Sequence, residues 1–399
     1  VEGNQELLRR EVRQWLSQNV EAGWRDTVTD CEQEVFFSAQ KDWFSRLVDA
    51  GYATPHWPDG WPGGGRSLAE QKIIYEEVAR ADAPRLILYF VALYHAACTL
   101  FECGSAEQKS RYLPGILNGE IWCQGFSEPN AGSDLASLKT RAVRQGDRYV
   151  ISGQKTWSTL APYAGRCLLL ARTDRGERPQ AGLTYLLLDM RAKGVTVRPI
   201  SQITGDDEFA EIFFDEVEVP VEDRVGEEGA GWAVAQTTLA SERGLTLVEL
   251  SQRMRYALPL IVDAMQQSNR LEDAAIRRDF GRLIARVDAA CALADRYLLK
   301  RISGEEAPGD ASIVKLYYAR TLREFTILGK RVAGLDGQYN RGFMRGATQE
   351  TGNWTVDFMN SYNWSIAGGS DEIQRNIIAE RMLGMPREPR DWTVKGQGV

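Results

Sequence analysis

With 399 residues, the chain exceeds the size at which a single hydrophobic core keeps growing, so two or three packed domains are expected. Hydrophobic residues make up 43% and charged residues 26%, the balance of an ordinary globular protein, and a net charge of −7 offers no basic footprint for nucleic acid or an anionic membrane. Six scattered cysteines without a CxxC pair argue against zinc and against a disulfide framework, and no run approaches twenty apolar residues, so a reduced, cytoplasmic protein with no membrane span is expected.

Helical periodicity dominates the first 120 residues, in QELLRREVRQWLSQNV, FFSAQKDWFSRLVDAGY and SLAEQKIIYEEVARAD. Between the last two lies HWPDGWPGGGR (56–66), a Pro/Gly stretch that reads as a solvent connector. Its glycines form neither a dinucleotide-binding fingerprint nor a P-loop. The only histidines, His56 and His95, stand in no nucleophile context and read as structural residues, so acid/base chemistry falls to a carboxylate. From about residue 121 the texture changes to short β-branched or aromatic runs bounded by Gly, Asp and Pro: RYVISGQKTWST, AGRCLLLARTD, GLTYLLLDM, GVTVRPI and AEIFFDEVEVP. Helical period returns at GWAVAQTTLASERG and persists almost to the end. The expected fold is α+β, mostly α: an N-terminal helical domain (1–120), a middle antiparallel β domain (121–230) and a C-terminal helical bundle (231–399).

WCQGFSEPNAGSDLASLKTRA (122–142), followed by YVISGQKTWST (149–159), resembles the acyl-CoA dehydrogenase family, which carries an E-P-x-A-G-S-D segment and then a G-x-K-x-W-x-T strand. WFSRLVDAGYATPHWP, YEEVARADA, the glycine-punctuated segment at 217–231 and EIQRNIIAERMLG extend the resemblance over nearly the whole chain in order. It implies a helical domain, a β domain and a four-helix bundle that bind FAD and desaturate acyl-CoA thioesters between the α and β carbons. By resemblance, Phe126, Ser127 and Gly132 meet the flavin, Trp157 stacks beside its ring and Thr159 hydrogen-bonds near its N5; Ser133 faces flavin and substrate. Arg277, Phe280, Ser370 and Glu372 match positions that hold the adenine half of a neighbouring subunit's FAD, which implies an obligate oligomer, commonly a tetramer. Asp279 departs from the family pattern, and AGLDGQYNRGF (333–343) matches it poorly, so no adenosine contact is carried over there.

Desaturation needs a base facing the flavin across the substrate, and a buried carboxylate suits the task. In one branch of the family that carboxylate stands where this chain has Gly368, within NWSIAGGSDEIQ; neither it nor its neighbours Ala367 and Gly369 can supply one. A second branch places a glutamate on a bundle helix immediately before an arginine, which here are Glu242 and Arg243 in LASERG. On a helical projection Leu239, Leu247, Leu250 and Met254 share a stripe that Arg243 also enters, with Glu242 on its flank. The resemblance therefore implies Glu242 as the base, Arg243 as a group that positions CoA or Glu242, and the Gly368 N–H as a donor to the thioester carbonyl. Asp371 and Glu372 suit the start of the following helix.

Two further readings stay open: a non-catalytic or FAD-sharing subunit of a heterotetramer, or the same fold oxidising a nitroalkane or a carrier-protein-bound acyl group. The implied partners are an acyl-CoA substrate, an electron-transferring flavoprotein and a homotetramer or α2β2 heterotetramer. No metal and no nucleic acid are expected. The adjacent glycines, with Tyr362 and Trp364, suggest room for a branched or polycyclic acyl group.

Overall fold

The computed structural model describes residues 2–174, 177–241, 246–339, 342 and 351–387. Helices form where apolar residues recur at helical spacing. α1 (Glu2–Asn19) buries Leu8, Val12 and Leu16 along one stripe, followed by the short α2 (Trp24–Val28). α3 (Gln33–Asp49) buries Phe36, Trp43, Phe44 and Leu47. α4 (Leu68–Arg80) begins at a capping box in which the Ser67 hydroxyl accepts from the Glu70 N–H while the Glu70 carboxylate accepts from the Ser67 N–H. A 3-10 turn (Ile87–Tyr89), a π turn (Val91–Ala96) and α5 (Ala97–Cys103) then run on as one helical segment. Such π turns recur at functional sites because they re-aim the side chains around them. α6 (Ala106–Leu117), capped by Ser105 and Gln108, closes the domain.

The connector at 56–66 is not a solvent loop. Trp57 is buried and meets Trp61 and Phe101 edge to face. Gly64 passes so close to the Pro58 carbonyl oxygen that a Cβ would lie 2.1 Å from it. The glycines are there for close backbone packing.

The middle region is one eight-stranded sheet: β1 (Trp122–Gly125), β2 (Arg141–Gln145), β3 (Arg148–Thr159), β4 (Arg166–Arg172), β5 (Leu183–Asp189), β6 (Val195–Pro199), β7 (Phe209–Pro220) and β8 (Arg224–Val225). Seven strands follow the order β6-β7-β3-β2-β4-β5-β8. Most pairs are antiparallel as expected, but β1 joins β4 in parallel, and so does Arg141 of β2 with Arg172. The long crossover between β1 and β4 makes that direction possible. β4 and β5 read as unbroken apolar runs because both faces are covered. Leu168, Leu170 and Leu187 pack toward the N-terminal helices, while Cys167, Leu169 and Leu188 form a separate core on the far face.

The C-terminal helices are α7 (Gly231–Ser241), α8 (Thr246–Tyr256), α9 (Leu258–Gln267), α10 (Ala274–Ser303), α11 (Asp310–Ala333), α12 (Trp354–Ser361), α13 (Asn363–Ile366) and α14 (Asp371–Ile377). α8, α10 and α11 bury a third core that includes Leu247, Leu250, Met254, Tyr318 and Phe325. Among the described residues no helix is long and apolar enough to cross a membrane.

Candidate active site

The first wall is built on β3. Its register against β7 shifts between Lys155 and Ser158, and at that bulge Trp157 takes a left-handed backbone conformation, φ 58. The result is an indole aimed outward, 61% exposed, touched edge-on by Phe209 at 6.3 Å. Holding a bulky L residue there costs of order 1–3 kcal/mol. Next to it the Ser158 hydroxyl is buried without a hydrogen-bond partner among the described residues. Thr159, half-buried, pairs with Phe209 on β7.

The segment after β1 is locked to this strand. The Thr156 N–H donates to the Ser127 carbonyl at 2.9 Å. Lys155, fully buried, donates from Nζ to the Phe126 carbonyl at 3.0 Å and to Glu128 Oε1 at 2.9 Å. Glu128 also accepts from the Lys139 and Thr140 N–H groups. Burial draws the Lys155 pKa down to about 8 against the pull of Glu128; at Glu128 burial pushes upward, but Lys155 and the hydrogen bonds from Lys139 and Thr140 outweigh it and hold the carboxyl below the usual range. Phe126 is buried edge-on against Tyr185, and Gly132 and Ser133 lie on an exposed turn beyond the paired Glu128 and Ala131. The structure thus ties the segment holding Phe126 and Ser127 to the strand that carries Trp157 and Thr159.

The second wall is the turn entering α14. Gly368 and Gly369 have φ of 64 and 91, a region that strains any residue with a side chain. Gln374 Nε2 donates to the Gly368 carbonyl at 2.8 Å, and the buried Lys315 donates to the Gly369 carbonyl at 2.8 Å and to Asp371 at 3.3 Å. A Cβ on Gly369 would meet Gln374 Nε2 at 2.6 Å. Ser370 is the N-cap of α14, accepting from the Ile373 N–H, and Glu372 is exposed on its first turn beside Arg375. Arg277 and Phe280 stand on the first turns of α10: Arg277 is exposed and pairs with Glu272, while Phe280 packs against the bundle core. Asp279 is engaged by Arg278 and by Arg331 at 2.6 Å. Glu242 and Arg243 lie outside the described residues, between α7 and α8.

A mainly apolar cavity of about 50 Å3 with a polar end opens between α4, the π turn and α8, lined by Tyr75, Phe90, Tyr94, Thr246, Glu249 and Arg253 among others. Arg253 donates from Nε to Glu249 at 2.7 Å. The Tyr94 hydroxyl donates to Tyr75 at 3.3 Å, and Tyr75 lies 3.2 Å from His56 Nδ1. His56 Nε2 faces the Leu93 carbonyl at 3.1 Å, so Nε2 carries the proton and Tyr75 donates to Nδ1. Burial lowers the His56 pKa to about 4, which keeps the ring neutral.

The chain matches the acyl-CoA dehydrogenase N-terminal domain over residues 2–120, the middle domain over 123–217 and the C-terminal domain over 229–383. The chain belongs to the acyl-CoA dehydrogenase family. It is 39% identical to the acyl-CoA dehydrogenase IpdE1 of Mycolicibacterium smegmatis, covering 96% of this chain and 98% of that one. Among solved structures it superposes on the Tcur3481-Tcur3483 steroid ACAD with a TM-score of 0.83 at 31% identity, covering 97% and 98% of the two chains. The ChsE4-ChsE5 complex from Mycobacterium tuberculosis follows at a TM-score of 0.79 and 28% identity, covering 97% and 98%.

As an acyl-CoA dehydrogenase the protein is an oxidoreductase acting on CH–CH bonds, of a family that depends on FAD. The β3 wall fits such a group: the outward indole of Trp157, set on a strained bulge, offers a flat face to a planar ring. Sequence reasoning missed the ties that hold both walls. Lys155–Glu128 and Lys315–Asp371 are charges at core-facing positions, and a lysine within a buried strand or helix face signals an acidic partner elsewhere in the chain. It also missed Glu249 and Arg253, an i,i+4 charge pair set among Leu247, Leu250 and Met254.

Proposed function

We propose that this enzyme binds FAD and dehydrogenates a bulky acyl-CoA thioester between its α and β carbons, with Glu242 as the base. The observation that carries this reading is the backbone of Gly368: at φ 64, with Gly369 packed on Gln374, the turn is shaped for glycine and cannot supply a carboxylate. The base must come from elsewhere, and the LASERG glutamate is the family's other source. Similarity to the Tcur3481-Tcur3483 steroid ACAD supports a bulky substrate.

Phe126, Ser127, Gly132, Ser133, Trp157 and Thr159 hold the flavin end of FAD, and Arg277, Phe280, Ser370 and Glu372 hold the adenine end of a neighbouring subunit's cofactor. When bound, FAD supplies the hydride acceptor. Ser133 and Arg243 position the thioester. The Gly368 N–H, its carbonyl turned inward by Gln374, donates to the thioester oxygen as charge develops there. Glu242 removes the α-proton, and that C–H electron pair becomes the new double bond as the β-hydrogen departs as hydride. An electron-transferring flavoprotein is the onward acceptor.

The test is anaerobic addition of linear, branched and ring-bearing acyl-CoA thioesters to the flavin-loaded enzyme. Bleaching by one class is expected, with its rate falling about 10²–10⁴-fold in Glu242→Gln while flavin content holds. Undiminished bleaching in that variant would remove Glu242 from the mechanism. A second reading, that this chain is one half of an α2β2 tetramer, is favoured by the paired names of its relatives. A mass measurement of the enzyme purified from its native cells distinguishes that from a homotetramer.

A further inference from the structure

We infer that the Arg253 cavity is a recognition site for an oxygen substituent, a carbonyl or hydroxyl, on the far end of the acyl group; this rests on the acyl-CoA reading above. Arg253 is only 6% exposed, yet its Nη2 has no hydrogen-bond partner among the described residues. A buried guanidinium N–H left without an acceptor loses most of what its hydration supplied, so the site is incomplete without an acceptor oxygen.

The surrounding groups narrow what that oxygen belongs to. Glu249 already matches the charge of Arg253, so the ligand is neutral; a second carboxylate would sit against Glu249. Arg85 lines the same space and adds positive potential, which again favours an acceptor. The tyrosines are arranged to accept rather than give. Tyr94 spends its proton on Tyr75 and Tyr75 on His56, so the Tyr94 oxygen keeps its lone pairs for a ligand hydroxyl. A carbonyl would take the Arg253 proton alone, and an alcohol could also donate to Tyr94.

Size fits a substituent and not a whole ring. The cavity of about 50 Å3 is roughly a third of the ~150 Å3 that admits benzene, and several times the ~15 Å3 needed by one water. Position fits the far end of an acyl chain. Thr246, on the cavity wall, follows Glu242 by four residues, which caps their separation at about 14 Å. A thioester at the base with one ring attached spans such a distance.

The experiment compares three thioesters on the flavin-loaded enzyme, purified with any partner subunit: a cyclohexylpropanoyl-CoA, its counterpart with a ring ketone opposite the side chain, and the matching alcohol. The expected result is a kcat/KM at least tenfold higher for the oxygenated pair than for the deoxy compound. In Arg253→Met combined with Glu249→Gln, which leaves no stranded charge, that preference collapses toward unity while turnover of the deoxy compound is kept. Equal turnover of all three by the unaltered enzyme overturns the inference without touching the dehydrogenase reading, and needs no variant to fold. A loss in the double variant that is equal for all three substrates also overturns it, since that is a purely structural role. Bleaching by no thioester of any class would overturn the parent reading, and this inference with it.

Discussion

Two regions of the molecule bury polar groups in opposite ways. Under β3, Lys155 and Glu128 are buried as ions, matched to each other and to three backbone groups. Between α4 and the π turn, the half-buried His56 and Tyr94 and the buried Tyr75 are held as neutral groups, in a chain of hydrogen bonds that runs one way and ends on the Leu93 carbonyl. An ion pair fixes a backbone firmly but fails badly if one partner is removed. A neutral relay carries less electrostatic risk at neutral pH, yet a single proton in the wrong place disrupts it. The fold uses the first where the segment 126–128 is tied to β3, and the second beside the Arg253 cavity.

That contrast can be broken most strongly at Lys155. Lys155→Met leaves Glu128 buried without its cation, and a loss of about 3–5 kcal/mol is expected in denaturant unfolding, together with release of flavin. Adding Glu128→Gln to that variant should recover much of the stability, because the stranded charge is gone. If the single variant is as stable as the parent protein, the pair does not hold the segment.

Acid should separate the two regions next. Burial lowers both His56 and His95 to about 4 from an ordinary value near 6.5, so the unfolded chain binds their protons first. Their contribution is complete above about pH 6.5 and is lost as pH falls toward 4, by roughly 3 kcal/mol each. Glu128 is held below its usual value, so its contribution persists down to the ordinary carboxylate range and is lost only beneath it. Glu77 behaves likewise: burial raises it, but hydrogen bonds from Arg13, Arg80 and Arg9 prevail and leave it at about 2. Unfolding free energy measured from pH 7 to 3 should therefore fall in two stages, and Glu77→Gln should flatten only the lower one. A single stage centred below pH 4.5 would contradict the neutral-relay account.

The family motifs around β3 were legible in the sequence and the cavity beside α8 was not, for physical reasons. The segments around Phe126, Trp157 and Gly368 carry unusual residue types at fixed spacing, and the backbone at Trp157 and Gly368 takes positive φ that few residues adopt. Strand texture was legible for the same reason: CLLLA on β4 and LTYLLLD on β5 cannot be exposed on either face. The parallel β1–β4 pair escaped notice because strand direction depends on the path of the chain and not on the residues paired. The packed loop at 56–66 escaped because Pro and Gly look alike in a solvent turn and in a tight crossing. The Arg253 cavity escaped because Glu249 and Arg253 read as an ordinary i,i+4 pair until the helix face around them is seen to be buried.

The smallest change to stability, and the sharpest probe of purpose, is expected at Trp157. A tryptophan buried in a β-domain core would cost about 3–5 kcal/mol on truncation to alanine. This one is 61% exposed at φ 58, so Trp157→Ala removes little packing, and alanine at that torsion is no more strained than the indole was. The apoprotein's melting temperature should move by no more than about 2 °C, since surface substitutions away from packing stay within ~0.5 kcal/mol. Flavin retention through gel filtration should nevertheless fall if the outward indole stacks beside the flavin as proposed. A large drop in apoprotein stability would mean that Trp157 serves the fold, and retention unchanged would mean that the outward indole faces something other than the cofactor.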